Sequence, residues 1–204
     1  MWYKLEETEL MEQIDLISLC LKNDKAAQKE FFELFYSKLA YISLRYSKNL
    51  AQSEQIVLKG FSHIFENLGK YNQQSGKTLE EFVVDQFIPF LVTYIKNIRN
   101  EYYVASTVRA VESSDKSGDL FFDNILIDLK NIKSETLLRS IQELVPSQRL
   151  VFNLHVIDGY SLASISELLE TSEQTIKANL EKARFSLQKS IEKNIKLSNN
   201  EQPV

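Results

Sequence analysis

Gln174, Lys177 and Lys182 recur at helical spacing near the C-terminal end of the chain, with Ala178 between them. Their types suit one kind of chemistry. A lysine ammonium seeks a phosphate, and a glutamine amide can pair with the edge of a base. The start of a helix adds its own attraction for a phosphate. These four residues lie mostly off the apolar stripe of Ile176, Leu180, Ala183 and Leu187, with Glu173 and Glu181 among them. By pattern alone the signal is shared with ordinary amphipathic helix pairs, so a plain helical bundle stands beside the nucleic-acid reading.

The elements that would position this face can be read from the same stretch. Leu137, Leu138, Ile141 and Leu144 share one face of a helix that Pro146 ends. Ser147 is the expected cap of a second helix carrying Leu150, Val151, Leu154 and His155, closed at Asp158-Gly159, where glycine can take a left-handed conformation. Ser161 opens a short third helix with Ile165, Leu168 and Leu169. After a tight break at Glu170-Thr171, a fourth runs from about Ser172 to Lys193. A short helix, a tight turn and a longer amphipathic helix make the helix-turn-helix arrangement.

The first hundred residues repeat the helical theme. Leu10 to Leu21 is apolar at helical spacing, and Asp24 is placed to cap a helix in which Phe31, Phe32, Phe35, Leu39 and Ile42 share a face. Asn49 to Gln52 reads as a break, with Ser53 as the cap of a third helix bearing Val57, Gly60, Phe61, Ile64, Phe65 and Leu68. Residues 71–77 are a polar loop. Thr78 and Glu81 form a capping box that opens a fourth helix with Phe82, Phe87, Phe90, Leu91, Tyr94, Ile95 and Ile98. Pro89 predicts a kink or break near Phe87-Ile88. Residues 104–119 are polar and aperiodic, a flexible linker in which only Leu120 to Leu126 adds an apolar contact segment. The expected fold is all-α: a helical domain at 10–103, a linker at 104–132, a helix-turn-helix domain at 133–192 and a tail at 193–204.

Composition agrees. The chain has 204 residues, 44% of them hydrophobic and 25% charged, with five Gly and three Pro, too few for the dense turns of an all-β protein. A single cysteine, Cys20, excludes an internal disulfide and suits a reducing cytosol. The start, Met1-Trp2-Tyr3-Lys4 followed by Glu6, Glu7 and Glu9, lacks the pattern of a signal peptide, and no apolar run is long enough to span a membrane. A cytoplasmic protein with no membrane partner is expected. The net charge of −4 argues against a free-standing DNA binder, unless the affinity is supplied with a larger partner. His63 and His155 have no acidic or cysteine residue at ligand spacing, and there is no phosphate loop, nucleophile elbow or metal cluster. Neither an enzyme nor a cofactor or metal is expected.

Residues 144–188 resemble region 4 of the sigma-70 family, and most closely its extracytoplasmic-function type. The likeness is carried by Leu144-Val145-Pro146 with Arg149, the corner Gly159-Tyr160-Ser161, the helix Ile165-Ser166-Glu167, and Thr175-Ile176-Lys177-Ala178-Asn179-Leu180-Glu181-Lys182-Ala183-Arg184. The resemblance implies that Arg149 and Ser161 help hold a DNA backbone. It implies too that Thr175, Lys177, Ala178, Asn179 and Lys182 lie at or near the −35 element, where Gln174 joins them. Leu16-Ile17, Asn23-Asp24, Ala26-Ala27 and the run from Phe31 to Tyr71 resemble region 2. In the family that region binds the clamp of the RNA polymerase β′ subunit and captures the −10 strand, while region 4 meets the β flap. Core polymerase and promoter DNA are therefore the implied partners, with room for an anti-sigma factor.

Region 2 is also where the sequence departs. The family's acidic Asp-Ala-Glu-Asp and following Gln-Glu read Gln52-Ser53-Glu54-Gln55 and then Leu58-Lys59, which leaves Glu54, Gln55, Leu58 and Lys59 as the polymerase-facing candidates. The family's Phe-x-x-Trp reads Leu79-Glu80-Glu81-Phe82, and its basic helix is replaced by Val84 to Pro89. Strand capture needs cations and aromatic platforms. The candidates are Lys70, Tyr71, Lys77, Lys96 and Arg99, with Tyr102 and Tyr103. Their plainer reading is a solvated face and core aromatics. Glu170 stands where the family has glycine; a left-handed residue there costs about 1 kcal/mol, which points to a differently shaped turn. Two functions stay open: an alternative sigma factor that directs initiation, and a degenerate sigma-like regulator that binds DNA or polymerase without opening promoters. A dimeric helix-turn-helix repressor is disfavoured for want of a dimerisation heptad.

Overall fold

The computed structural model describes residues 13–72, 76–98 and 133–200. Within them every regular element is helical, and the chain divides into two compact units, Met1–Asn97 and Ile98–Val204.

In the first unit, α1 covers residues 13–21 and stops at Asn23, whose φ of 61° lies in the left-handed region. The Asp24 side chain then accepts from the Ala27 amide at 2.9 Å and starts α2, Lys25–Tyr46. Its buried face steps through Ala27, Phe31, Phe35, Leu39, Ile42 and Tyr46, the spacing of one helical stripe. α3 spans Leu50–Asn67. Its cap is Asn49, not Ser53: Asn49 Oδ1 accepts from the Gln52 amide at 2.9 Å, and Gln52 Oε1 accepts from the Lys48 amide at 2.8 Å. The polar run that reads as a break is thus a reciprocal cap. Ser53 is buried inside the helix, where its carbonyl accepts from Ser43 Oγ on α2 at 3.0 Å.

α4, Leu79–Ile98, opens on the expected box: Thr78 N donates to Glu81 Oε2 at 2.8 Å, and Glu81 N donates to Thr78 Oγ1 at 3.2 Å. The Thr78 amide, and with it the Thr78 hydroxyl, donates to the carboxylate and holds the Glu81 carboxyl below its ordinary pKa. The break expected at Pro89 is absent, and the helix runs through it. Proline removes one donor, but Val83, Phe87, Ile88, Leu91 and Val92 around it are all buried, and their burial outweighs one lost hydrogen bond. Phe87 lies against Gly60 of α3 so closely that a Cβ on Gly60 would stand 2.3 Å from the ring.

In the second unit, α5 is Ser134–Glu143 and α6 is Pro146–Phe152. Pro146 occupies the first turn, where no amide donor is needed; the cap position is Val145, and Ser147, the expected cap, is buried two residues further in. α6 continues as a π turn, Asn153–Ile157, and the chain reverses at Gly159 with φ 74°. α7 is Leu162–Leu169, capped by Ser161 Oγ, which accepts from the Ser164 amide at 3.0 Å. α8 is Glu173–Asn200, capped by Ser172 Oγ accepting from the Thr175 amide at 3.2 Å. It packs on α5, α6 and α7. The helix continues past the expected end at Lys193, because Asn194 is buried and donates to Ser140 Oγ of α5 at 2.9 Å.

Candidate nucleic-acid interface

The turn between α7 and α8 decides how α8 is presented. Glu170 adopts φ 54°, ψ 44°, so the left-handed turn expected to be avoided is formed by a glutamate. Its cost of about 1 kcal/mol is offset locally: the Glu170 amide donates to the Glu167 carbonyl at 3.3 Å and the Thr171 amide to the Ser166 carbonyl at 3.1 Å. Ser166 Oγ also donates to the Thr171 carbonyl. These bonds use the carbonyls that the end of α7 would otherwise leave open.

α8 then buries Ile176, Leu180, Ala183 and Leu187, and turns Glu173, Gln174, Lys177, Ala178, Glu181 and Phe185 to solvent. Thr175 and Lys182 are half-buried at the edges of that face. Gln174, Ala178, Glu181 and Phe185 follow one another at i+4, i+3 and i+4, which makes a single outward ridge. Lys177 and Lys182 flank it. Phe185, 54% exposed with the Lys189 ammonium 4.2 Å from its ring centre, is the ridge residue that sequence reading passed over. Its place off the apolar stripe, four residues beyond Glu181, was the available signal.

Two residues assigned to DNA contact are interior. Arg149 is 4% exposed, and its guanidinium Nη1 donates to the Gln142 carbonyl that ends α5. Burial pushes its pKa down to about 10. Asn179 is 8% exposed; its amide donates to the Thr175 carbonyl at 3.0 Å and its Oδ1 accepts from Ser147 Oγ at 3.5 Å. Arg149 thereby ties α6 to α5, and Asn179 meets α6 through Ser147. Ser161 is exposed, with its hydroxyl engaged in the cap of α7.

In the first unit, Glu54, Gln55, Leu58 and Lys59 form one exposed stripe along α3, and Leu58 is 61% exposed. Lys59 Nζ lies 4.9 Å from the centre of the Tyr94 ring of α4. The strand-capture candidates are only partly assembled. Tyr71 rests its ring 5.4 Å from Phe82 and donates its hydroxyl to the Lys77 carbonyl at 3.3 Å. Half-burial raises its pKa above the ordinary tyrosine value. Lys77 Nζ donates to Asp85 at 2.6 Å, which holds the ammonium above its ordinary pKa and partly neutralises it. Lys70 Nζ donates to Asn67 at 2.6 Å. Lys96 stands eleven residues beyond Asp85 on α4, roughly 16 Å along the axis, away from the Tyr71 group. Arg99, Tyr102, Tyr103 and the 104–132 linker lie outside the described residues. Among the described residues no group of acidic, histidine or cysteine side chains is arranged for a metal, and no helix is long and apolar enough to cross a membrane.

Residues 134–187 match the family described as Sigma-70, region 4. This part of the chain is similar to sigma-70 region 4. The matched span runs from the first turn of α5 to the inner half of α8, so the helix-turn-helix and its ridge belong to the region 4 module as a unit. No curated protein matches the chain. Among solved structures, CnrH in complex with the cytosolic domain of CnrY covers 87% of this chain and 95% of its own, at 13% identity and a TM-score of 0.41. That likeness is too loose to carry fold or partner over to this chain.

Proposed function

We propose that this chain, whose residues 134–187 match sigma-70 region 4, is an alternative sigma factor of the extracytoplasmic-function type, which binds core RNA polymerase and directs initiation at particular promoters. Region 4 would place the α8 ridge in the major groove of the −35 element, and the first unit, read as region 2, would dock on the polymerase clamp and engage the −10 element. The observation that carries this reading is the α8 face itself. It is a continuous exposed ridge at the start of a long helix, flanked by lysines and held by a capped turn. Glu173 and Glu181 offset Lys177 and Lys182 on that face, and the chain as a whole carries −4. Weak net attraction to DNA suits a protein that borrows most of its DNA affinity from a larger partner. The exposed α3 stripe of Glu54, Gln55, Leu58 and Lys59 is the proposed polymerase contact, where Leu58 would supply apolar area in place of charge. An anti-sigma factor would act by covering that stripe or the ridge.

One observation favours a second reading, a sigma-like regulator that does not open promoters. The Lys77–Asp85 pair neutralises a cation where strand capture would need it free. The two readings separate in reconstituted transcription. The purified chain mixed with core polymerase at micromolar concentration should bind it and yield start-specific transcripts from duplex templates. Transcripts from premelted templates alone would select the second reading, and no binding to core would reject the first.

A further inference from the structure

The match to region 4 ends at residue 187, but α8 runs on and buries Ile191 and an amide, Asn194, 4% exposed. The Asn194 amide donates to Ser140 Oγ at 2.9 Å and to Ser190 Oγ at 3.3 Å. Ser140 Oγ donates on to the Thr136 carbonyl at 2.9 Å, and Ser190 Oγ to Glu143 Oε2 at 2.5 Å. Asn194 thus meets Ser140, and Ser190, one turn earlier on α8, meets Glu143, one turn later on α5. The two helices run antiparallel there and are tied at two rungs. A buried amide is a costly way to join helices. Leucine at 194 would leave the Ser140 hydroxyl its bond to Thr136 and the Ser190 hydroxyl its bond to Glu143, and would bury apolar surface instead. What the amide adds is direction. Ile141 and Ile191 alone tolerate a shift along the helix axis, whereas the rungs form in one register, and fixing register is the best-attested use of a buried polar group between helices.

We propose that Asn194 and Ser190 are positioning residues, whose rungs to α5 fix the angle at which α8 is presented and so make the chain selective for the spacing between the upstream and −10 promoter elements. The inference rests on the promoter-binding reading above. Neither residue need touch DNA: the rungs join α8 to α5 on its buried side, and they act through the helix that carries the exposed ridge. One base pair added to a spacer moves the upstream element about 3.4 Å along the duplex and about a tenth of a turn around it. With the module held in the polymerase by its other helices, an α8 locked to α5 does not follow that movement. An α8 free to shift on α5 does. The rungs therefore bear on which spacings are accepted and leave the choice of bases to the exposed face.

The test uses the full chain assembled with core polymerase. A promoter duplex is first selected from a randomised library, then competed against copies whose spacer is one base pair longer or shorter. Wild type should prefer its selected spacing. Asn194→Leu should keep the melting temperature of the second unit and the bases preferred in the library, yet lose about fivefold or more of the spacing preference. Ser190→Ala should move the same way by less, and Ser190→Thr, which keeps the hydroxyl, should behave as wild type. Ser190→Ala carries the test alone if Asn194→Leu does not fold. A spacing preference unchanged in the folded variants, whatever their stability, means that the rungs only hold the helices together, and the inference fails while the promoter reading stands. A wild-type assembly that selects a duplex but accepts every spacing equally overturns it too. If the wild-type assembly selects no duplex at all, the promoter reading fails and the inference falls with it.

Discussion

The two units are both helical, yet their interiors are built differently. The first is aromatic: Phe31 packs against Phe35 and Phe65 with ring centres 4.8 and 5.4 Å apart, Phe32 against Phe61 at 4.4 Å, and Phe87 fills the space that Gly60 leaves. The second is aliphatic, apart from Phe152, and where the first buries Ser43, Arg45, Ser47 and Ser53, it buries the larger polar set Arg149, Asn153, Asn179, Asn194, Ser140 and Ser147. Asn153 donates to the Arg149 carbonyl at 2.8 Å, Asn194 to Ser140 at 2.9 Å, and Arg149 to the end of α5. Apolar contacts tolerate sliding, whereas a buried hydrogen bond is lost by a shift of less than an ångström. A unit that must hold one helix at a fixed angle to a groove gains from the second kind of interior.

The largest effect that would sharpen this contrast is in the aromatic core. Phe87→Ala should destabilise the first unit by about 3–5 kcal/mol, seen as faster amide exchange in α2, α3 and α4 with α5 to α8 unchanged. Exchange rising equally in both units would break the division. Next is Arg149→Ala, which removes a charge-assisted hydrogen bond from the second interior and should cost about 1.5–3 kcal/mol, measured by urea unfolding. A variant of wild-type stability with weakened DNA binding would instead return Arg149 to the surface role that the family resemblance implies.

How much of this was legible depended on whether the signal was local. The Thr78–Glu81 box, the Ser161 cap and the Gly159 reversal need only residues three or four apart, and the sequence shows them. The cap at Asn49 was hidden because Asn49 to Gln52 reads equally as a loop, and Pro146 displaced Ser147 from its cap by taking the first helical position. Burial of Arg149 and Asn179 was not legible: it depends on α6 folding back on α5, where Arg149 reaches the Gln142 carbonyl, and on α6 meeting α8, where Ser147 reaches Asn179. The exposure of Gln174, Lys177 and Ala178 on α8 was legible because that face is the complement of a regular apolar stripe.

Smaller effects test the turns that join each interior. Glu170→Gly should relieve the left-handed strain and stabilise the second unit by about 1 kcal/mol, raising its melting temperature; a loss would mean that the glutamate side chain contributes more than its backbone costs. The smallest concerns the α4 cap. Glu81 is held below its ordinary pKa, so its contribution is complete above the unfolded value of about 4.3 and is lost as pH falls through the lower folded value. Thr78→Ala should flatten that acid dependence of α4 amide exchange, and an unchanged profile would place the acid sensitivity elsewhere.

The α8 ridge as the DNA-facing surface of a polymerase-bound sigma factor is tested most directly by the salt dependence of promoter-duplex binding. The assembly of full chain with core polymerase should be compared with Lys177→Ala and Lys182→Ala forms. Each variant should bind more weakly across all sequences and lower the salt slope by about 1. Unchanged affinity and slope in both variants, with core binding intact, would contradict it.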